Sequence, residues 1–191
     1  LVYCSISGYG QRGPLAQRAG HDVNYVARAG LLHAHQDRDG RPGLPGVQLA
    51  DMSGGLYAAL GILAALQARE RTGRGQVVDV GLMDSALALM TAPLTRQLAG
   101  GPERDELTGT QACYGVYRCR DGAWLAVGGL EPKFWEGLCG ALGLPDAVSH
   151  QWDTGGEAQA LRQRFEEAFA RRDRADWLAV LEPLDVCVEP V

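Results

Sequence analysis

Three residue types able to move protons stand at positions where a helix begins or a turn ends. His21 follows Gly20 and precedes Asp22-Val23-Asn24-Tyr25, Asp51 opens Asp51-Met52-Ser53-Gly54-Gly55, and Glu131 precedes Pro132-Lys133-Phe134-Trp135. An imidazole with an unperturbed pKa near 6.5 works in both protonation states at neutral pH, so His21 suits general acid/base chemistry. Each residue also has a purely structural reading. A histidine in a Gly-flanked turn serves as a polar loop residue, Asp51 as an N-cap, and Glu131 as a first-turn acid favoured by the helix dipole and followed by Pro. Residue types alone leave both readings open.

The elements that must position these residues follow from periodicity and punctuation. Residues 1–7 read as a buried strand, closed by the turn chemistry of Gly8-Tyr9-Gly10-Gln11 and Arg12-Gly13-Pro14. Val23, Val26, Ala27 and Leu31 fall at helical intervals from Asp22 to Leu32, and residues 33–46 form a polar loop. A long helix runs from Asp51 to about Arg71, with its acid at the N-terminus and Arg69 and Arg71 at the C-terminus. Gln76–Val80 reads as a strand, and Leu82–Leu98 as a helix broken near Pro93. Tyr114–Arg120 and Ala123–Val127 flank Asp121-Gly122, the signature of a hairpin closed by a tight primed turn. Helices over 131–142, 157–171 and 174–181 complete the pattern. The organisation is α/β over residues 1–99, a linker over 100–111, and a smaller α+β unit over 112–191.

Composition bounds the function. The 191 residues carry a net charge of -5, which gives no basic footprint for nucleic acid. No apolar stretch approaches a membrane span, and Leu56–Leu66 reads as a buried core helix. The five cysteines, Cys4, Cys113, Cys119, Cys139 and Cys187, lack CxxC spacing and fit reduced core residues of a cytosolic protein. His33 and His35 share a loop with Asp37 and Asp39 but have no further partner at ligand spacing, so no metal site is expected. The loop Gly8–Gly13 has neither P-loop nor dinucleotide spacing. Arg162-Gln163-Arg164 and Arg171-Arg172 read as solvated helix faces.

Four stretches taken in order say more than any one alone. Gly20–Tyr25, Ala50–Gly55 running into Ala59–Leu66, Gly73–Val80 with Met83-Asp84, and Val127–Trp135 resemble the family III CoA-transferase superfamily of CaiB/BaiF type, most closely its α-methylacyl-CoA racemase branch. The resemblance implies part of a Rossmann-like large domain joined to a smaller α+β domain, from a longer protein that forms interlocked homodimers. The chain would then be an internal fragment whose coenzyme A surface lies largely in a preceding segment, and which is inactive alone. It also implies a 2-methylacyl-CoA substrate epimerised by 1,1-proton transfer through an enolate, with no cofactor beyond the coenzyme A of the substrate.

In that reading His21 and Asp51 exchange the α-proton, and Glu131 orients and charges the histidine from the small domain. Backbone N–H groups at the Asp51 helix start receive the enolate oxygen, and Arg12 meets a phosphate. Gly20, His21, Asp22, Val23, Asn24, Tyr25, Gly54 and Gly55 border the substrate, Tyr25 from the face it shares with His21. Two alternatives stay open: a CoA-transferase in which Asp22 is the nucleophile that forms an acyl anhydride, and a truncated chain that is an inactive binding or structural remnant.

Overall fold

The computed structural model describes residues 1–36, 40–101 and 106–191, with no account of the Glu106 side chain. Asp37, Asp39 and residues 102–105 of the expected linker lie outside the described residues. The fold is mixed α/β, and the chain divides into two compact units, Leu1–Pro102 and Glu103–Val191.

In the first unit, β1 (Tyr3–Ser7) pairs in parallel with β2 (Val77–Gly81), Tyr3 opposite Val77 and Ser7 opposite Gly81. A parallel pair needs a crossover, and here it runs through α1 (Asp22–Arg28), the short α2 (Leu31–Ala34) and α3 (Leu49–Thr72). The helix expected from Asp22 to Leu32 is therefore two pieces. Gly30, at φ +87°, turns the chain between them, a conformation that carries little penalty only for glycine. β1 is less buried than expected: Tyr3 and Ile6 are both exposed, since β1 has one strand partner among the described residues.

α3 packs through small residues. A Cβ at Gly54 would collide with the Leu82 side chain, and one at Gly61 would lie 2.6 Å from Val78 Cγ1. Ala58 and Ala65 are buried on the same face. The opposite face leaves Met52, Leu56, Leu60 and Leu63 exposed, so α3 is a half-buried helix and not the fully buried one expected. It is also longer than its apolar centre suggests. From Leu49 to Ala68 its one charged residue is Asp51, and by length and composition alone it is long and apolar enough to cross a bilayer, against the sequence expectation. Gly73, at φ +69°, caps its C-terminus.

α4 (Leu82–Leu89) and α5 (Thr91–Leu98) meet at Met90. Pro93 explains the break, because its missing N–H would have bonded the carbonyl of Leu89 in a continuous helix.

The second unit is built on an antiparallel sheet of β3 (Tyr114–Arg118), β4 (Trp124–Gly128) and β5 (Val188–Pro190), in the order β3-β4-β5. The hairpin forms where Asp121-Gly122 marks it, but not as a primed turn. Only Gly122 has positive φ, and the Gly122 N–H donates to Cys119 O at 3.0 Å while the Cys119 N–H donates to Ala123 O at 2.8 Å. This is a turn of ordinary hand closed by a left-handed glycine, the longer hairpin connection. The Asp121 carboxylate accepts from the N–H groups of Ala123 and Arg174 and so joins the turn to a helix start.

Helices α6 (Pro132–Leu142), α7 (Gly155–Phe169) and α8 (Arg174–Leu181) bury an aromatic core against the sheet. Trp135 stacks on Phe165 at 5.0 Å, Tyr117 stacks on Phe169 at 4.8 Å, and Trp177 meets Phe169 edge-on at 5.5 Å. Their polar ends are satisfied: Trp135 Nε1 donates to Val148 O, Trp177 Nε1 to Phe169 O and Tyr117 Oη to Ala112 O. Arg162, read from sequence as part of a solvated face, is instead largely enclosed. It lies over the Tyr117 ring and donates to Gly109 O and Gln111 O.

Arg164 holds Asp146 through both carboxylate oxygens, at 2.9 and 2.8 Å. The hydrogen bond from Arg164 keeps the Asp146 carboxyl below the usual carboxylate range. A depressed folded pKa stabilises the fold above the unfolded value, near 4, and that contribution is lost as pH falls through the folded value. Asp146→Asn should therefore lower the melting temperature slightly at pH 7 and by less as the pH falls, narrowing the difference between neutral and acid melts. An unchanged difference in thermal melts followed by circular dichroism would show the pair contributes nothing, as many exposed pairs do.

Candidate active site

The helix-start residues of the first unit gather outside the carboxyl ends of β1 and β2. β1 runs into the loop Gly8–Gly13 and β2 directly into α4, and the Met83 N–H donates to Gly8 O at 3.0 Å, joining the two exits. In open parallel sheets this end is where ligands bind.

His21 is the N-cap residue of α1, with extended φ and ψ of -126° and 175°. Its main chain is held on both sides. The His21 N–H donates to Asn24 Oδ1 at 3.0 Å, and the His21 carbonyl accepts from the N–H groups of Asn24 and Tyr25 at 2.8 and 3.3 Å. The residue itself is exposed. A fixed backbone beneath an accessible imidazole is what a proton-transferring histidine requires.

Asp22 reaches across the chain. Its Oδ1 accepts from the N–H groups of Ala50 at 2.7 Å and Asp51 at 3.1 Å. These are first-turn donors of α3, left without intrahelical acceptors in any α-helix. Two corrections follow. Asp51 is not the N-cap: α3 begins at Leu49 with Gln48 as its cap residue, and Asp51 lies in the first turn with its side chain exposed. The Ala50 and Asp51 N–H groups, expected to receive an enolate oxygen, are engaged by Asp22.

Tyr25 is also placed differently. It is buried, its hydroxyl donates to Gly20 O at 2.6 Å, and its ring meets Tyr9 edge-on at 5.1 Å. Burial first, then the neighbouring Tyr9 and Asp51, pushes its hydroxyl pKa up. It supports the Gly20-His21 turn from inside and does not share the exposed face of His21. The glycines around it have packing reasons: a Cβ at Gly8 would lie 2.5 Å from Tyr25 Oη, and one at Gly20 2.8 Å from Tyr25 Cε1. Gly54, expected to admit a ligand, admits Leu82 of α4 instead. Gly55 faces open space and, with Val23 and Asn24, stays exposed at the same end.

Glu131 stands in the second unit as the N-cap residue of α6, exposed, its carbonyl accepting from the N–H groups of Phe134 and Trp135. Burial, and next the Glu131 carboxylate, push the Cys187 thiol up. The first unit thus gathers His21, Asp22 and Asp51, and Glu131 belongs to the other unit.

The sequence reading missed Asp79. Its Oδ2 accepts from the Gln11 N–H at 3.0 Å, fastening the loop after β1 to β2. The signal was available, because Asp79 interrupts the apolar run Val77-Val78-Val80. Arg12 is exposed in that loop.

The class of protein this fold and site define is met in sequence and in structure. The sequence profile of CoA-transferase family III matches residues 1–191, and the chain belongs to that family. It is 36% identical to "Alpha-methylacyl-CoA racemase" of Homo sapiens over 197 residues, covering 100% of this chain and 51% of the relative. It is 32% identical to "Succinyl-CoA:glutarate CoA-transferase" of Mus musculus over 199 residues, covering 100% of this chain and 45% of the relative. Its fold is similar to the crystal structure of a CAIB/BAIF family protein from Brucella suis, with a TM-score of 0.79 at 30% identity, covering 100% of this chain and 52% of that one. The chain spans about half the length of these proteins.

Proposed function

We propose that this chain supplies the acid/base pair of an α-methylacyl-CoA racemase-like isomerase, with His21 and Asp51 exchanging the α-proton of a 2-methyl-branched acyl-CoA. The observation that carries this reading is the Asp22 bridge, which fastens the residue beside His21 to the N–H of Asp51 itself. The thioester carbonyl acidifies the α-carbon; one group removes its proton to give the enolate, and the other returns a proton to the opposite face. Glu131 is retained from the family resemblance as the carboxylate that orients the imidazole. Arg12, in the loop at the same sheet end, meets a phosphate of coenzyme A, with Val23, Asn24 and Gly55 near the thioester.

The first unit belongs to a larger Rossmann-like domain of an interlocked homodimer working in the cytosol. The reaction needs no cofactor beyond the coenzyme A of its substrate. The close fit of α3 on α4 through Gly54 and on β2 through Gly61 fits a core helix rather than a membrane span.

The test is α-hydrogen exchange. The intact protein, incubated in deuterium oxide with a 2-methylacyl-CoA of one configuration, should incorporate one deuterium at the α-carbon as the other stereoisomer accumulates. Absence of incorporation with branched acyl-CoA thioesters of several chain lengths would remove the racemase reading.

A second reading, a family III CoA-transferase with Asp22 as the nucleophile, is favoured by the similarity to transferases. A carboxylate must attack the thioester carbonyl, expel CoA thiolate and form an acyl anhydride. Asp22 is half-buried and holds two N–H groups, whereas the Asp51 carboxylate is exposed. Hydroxylamine trapping followed by peptide mass spectrometry would locate the acylated residue.

A further inference from the structure

We infer that Asp22 is a positioning residue, a clamp that fixes the start of α3 against the start of α1 so that His21 and Asp51 stay in register. The inference rests on the assignment of those two residues as the proton-transferring pair.

α3 is a 24-residue helix without a cap of its own. Gln48 occupies the N-cap position at φ -81° and ψ 86°, and its side chain makes no capping bond. A helix start so placed leaves N–H donors to be satisfied from outside. The Asp22 carboxylate does this with one oxygen, accepting from Ala50 at 2.7 Å and Asp51 at 3.1 Å, and its charge sits where the helix dipole favours an anion.

Asp22 is itself the first residue of α1, directly after His21. The turn before it is gripped by Asn24 Oδ1 on the His21 N–H and by the Tyr25 hydroxyl on Gly20 O. Each neighbour therefore holds one part of the site: Asn24 and Tyr25 hold the histidine turn, and Asp22 joins that turn to the backbone of Asp51. Removing the carboxylate frees the two helix starts to move relative to each other. Displacement of about 1 Å in a reacting pair can cost about 100-fold in rate.

The role separates from a chemical one because an amide oxygen accepts the same N–H bonds but can neither form an anhydride nor carry charge. In the intact protein, Asp22→Asn should retain α-deuterium exchange within about tenfold of wild type. Asp22→Ala should lose about 100-fold in kcat with KM within about threefold, at a temperature where circular dichroism shows both variants folded. Amide exchange followed by NMR reads the clamp without any activity. The Ala50 and Asp51 N–H groups should be protected in wild type and in Asp22→Asn, and exchange at least about tenfold faster in Asp22→Ala.

An Asn variant as inactive as Asp51→Ala would overturn the inference, since the carboxylate would then act chemically. So would unprotected Ala50 and Asp51 amides in wild type, or an Ala variant with wild-type kcat. If wild type exchanges no α-hydrogen, the racemase reading falls, and the clamp is decided by the amide exchange alone.

Discussion

His21→Ala and Asp51→Ala should each lower racemisation of a 2-methylacyl-CoA by about 100- to 10,000-fold, the range a positioned acid/base group contributes. At 1.36 kcal/mol per factor of ten, that is about 3–5 kcal/mol of transition-state stabilisation. The two losses should differ in stereochemistry. Racemisation needs a group on each face of the α-carbon, so either variant stops inversion. Removal of a proton and its return to the same face needs only the surviving group. Each variant should therefore still exchange the α-hydrogen of one stereoisomer, and the preferred stereoisomer should be opposite for the two. Separate incubation of the two pure stereoisomers in deuterium oxide with each variant, followed by NMR, makes the comparison. Racemisation at the wild-type rate by either variant would remove that residue from the pair.

What the sequence disclosed of this site depends on how local each determinant is. The Asp121-Gly122 hairpin, the break before Pro93 and the Pro132 start of α6 are written within a few residues, and all appear in the fold where the sequence marks them. The cap of α3 is not local. It comes from Asp22 across 28 residues, so local sequence signals point to a start at Asp51, two residues beyond the observed Leu49. Tyr25 shows the limit of helical-face logic. The spacing from His21 places the two on one side of α1, but His21 is the cap residue and lies outside the helical turn. The glycines at 8 and 20 were the usable clue, since each leaves room for a buried ring.

The open face of α3 has a different physical origin. Apolar residues all round a helix predict burial all round, yet Met52, Leu56, Leu60 and Leu63 remain exposed while the glycine and alanine face carries the packing. Small residues that allow close approach determine which face packs here. Hydrophobicity alone does not distinguish the faces.

Glu131 depends on the second unit for its placement, and that dependence can be measured through the core. Phe165 is fully buried, stacked on Trp135 at 5.0 Å with an interplanar angle of 8°, and tilted against Tyr117 at 6.1 Å. Trp135 lies in the first turns of α6, whose N-cap residue is Glu131. Phe165→Ala removes a ring that joins α7 to both α6 and β3, and leaves a cavity that well-packed aromatic neighbours can fill only in part. The expected loss is about 3–5 kcal/mol, a large share of the roughly 5–15 kcal/mol that holds a domain folded. Urea unfolding followed by tryptophan fluorescence should show an earlier midpoint with little change in slope. Phe165→Leu should recover much of the loss, because it refills most of the volume without the stacking. A loss below about 1 kcal/mol in the Ala variant would mean that the site collapses freely, and that α6, with Glu131 at its start, is held by contacts other than this stack.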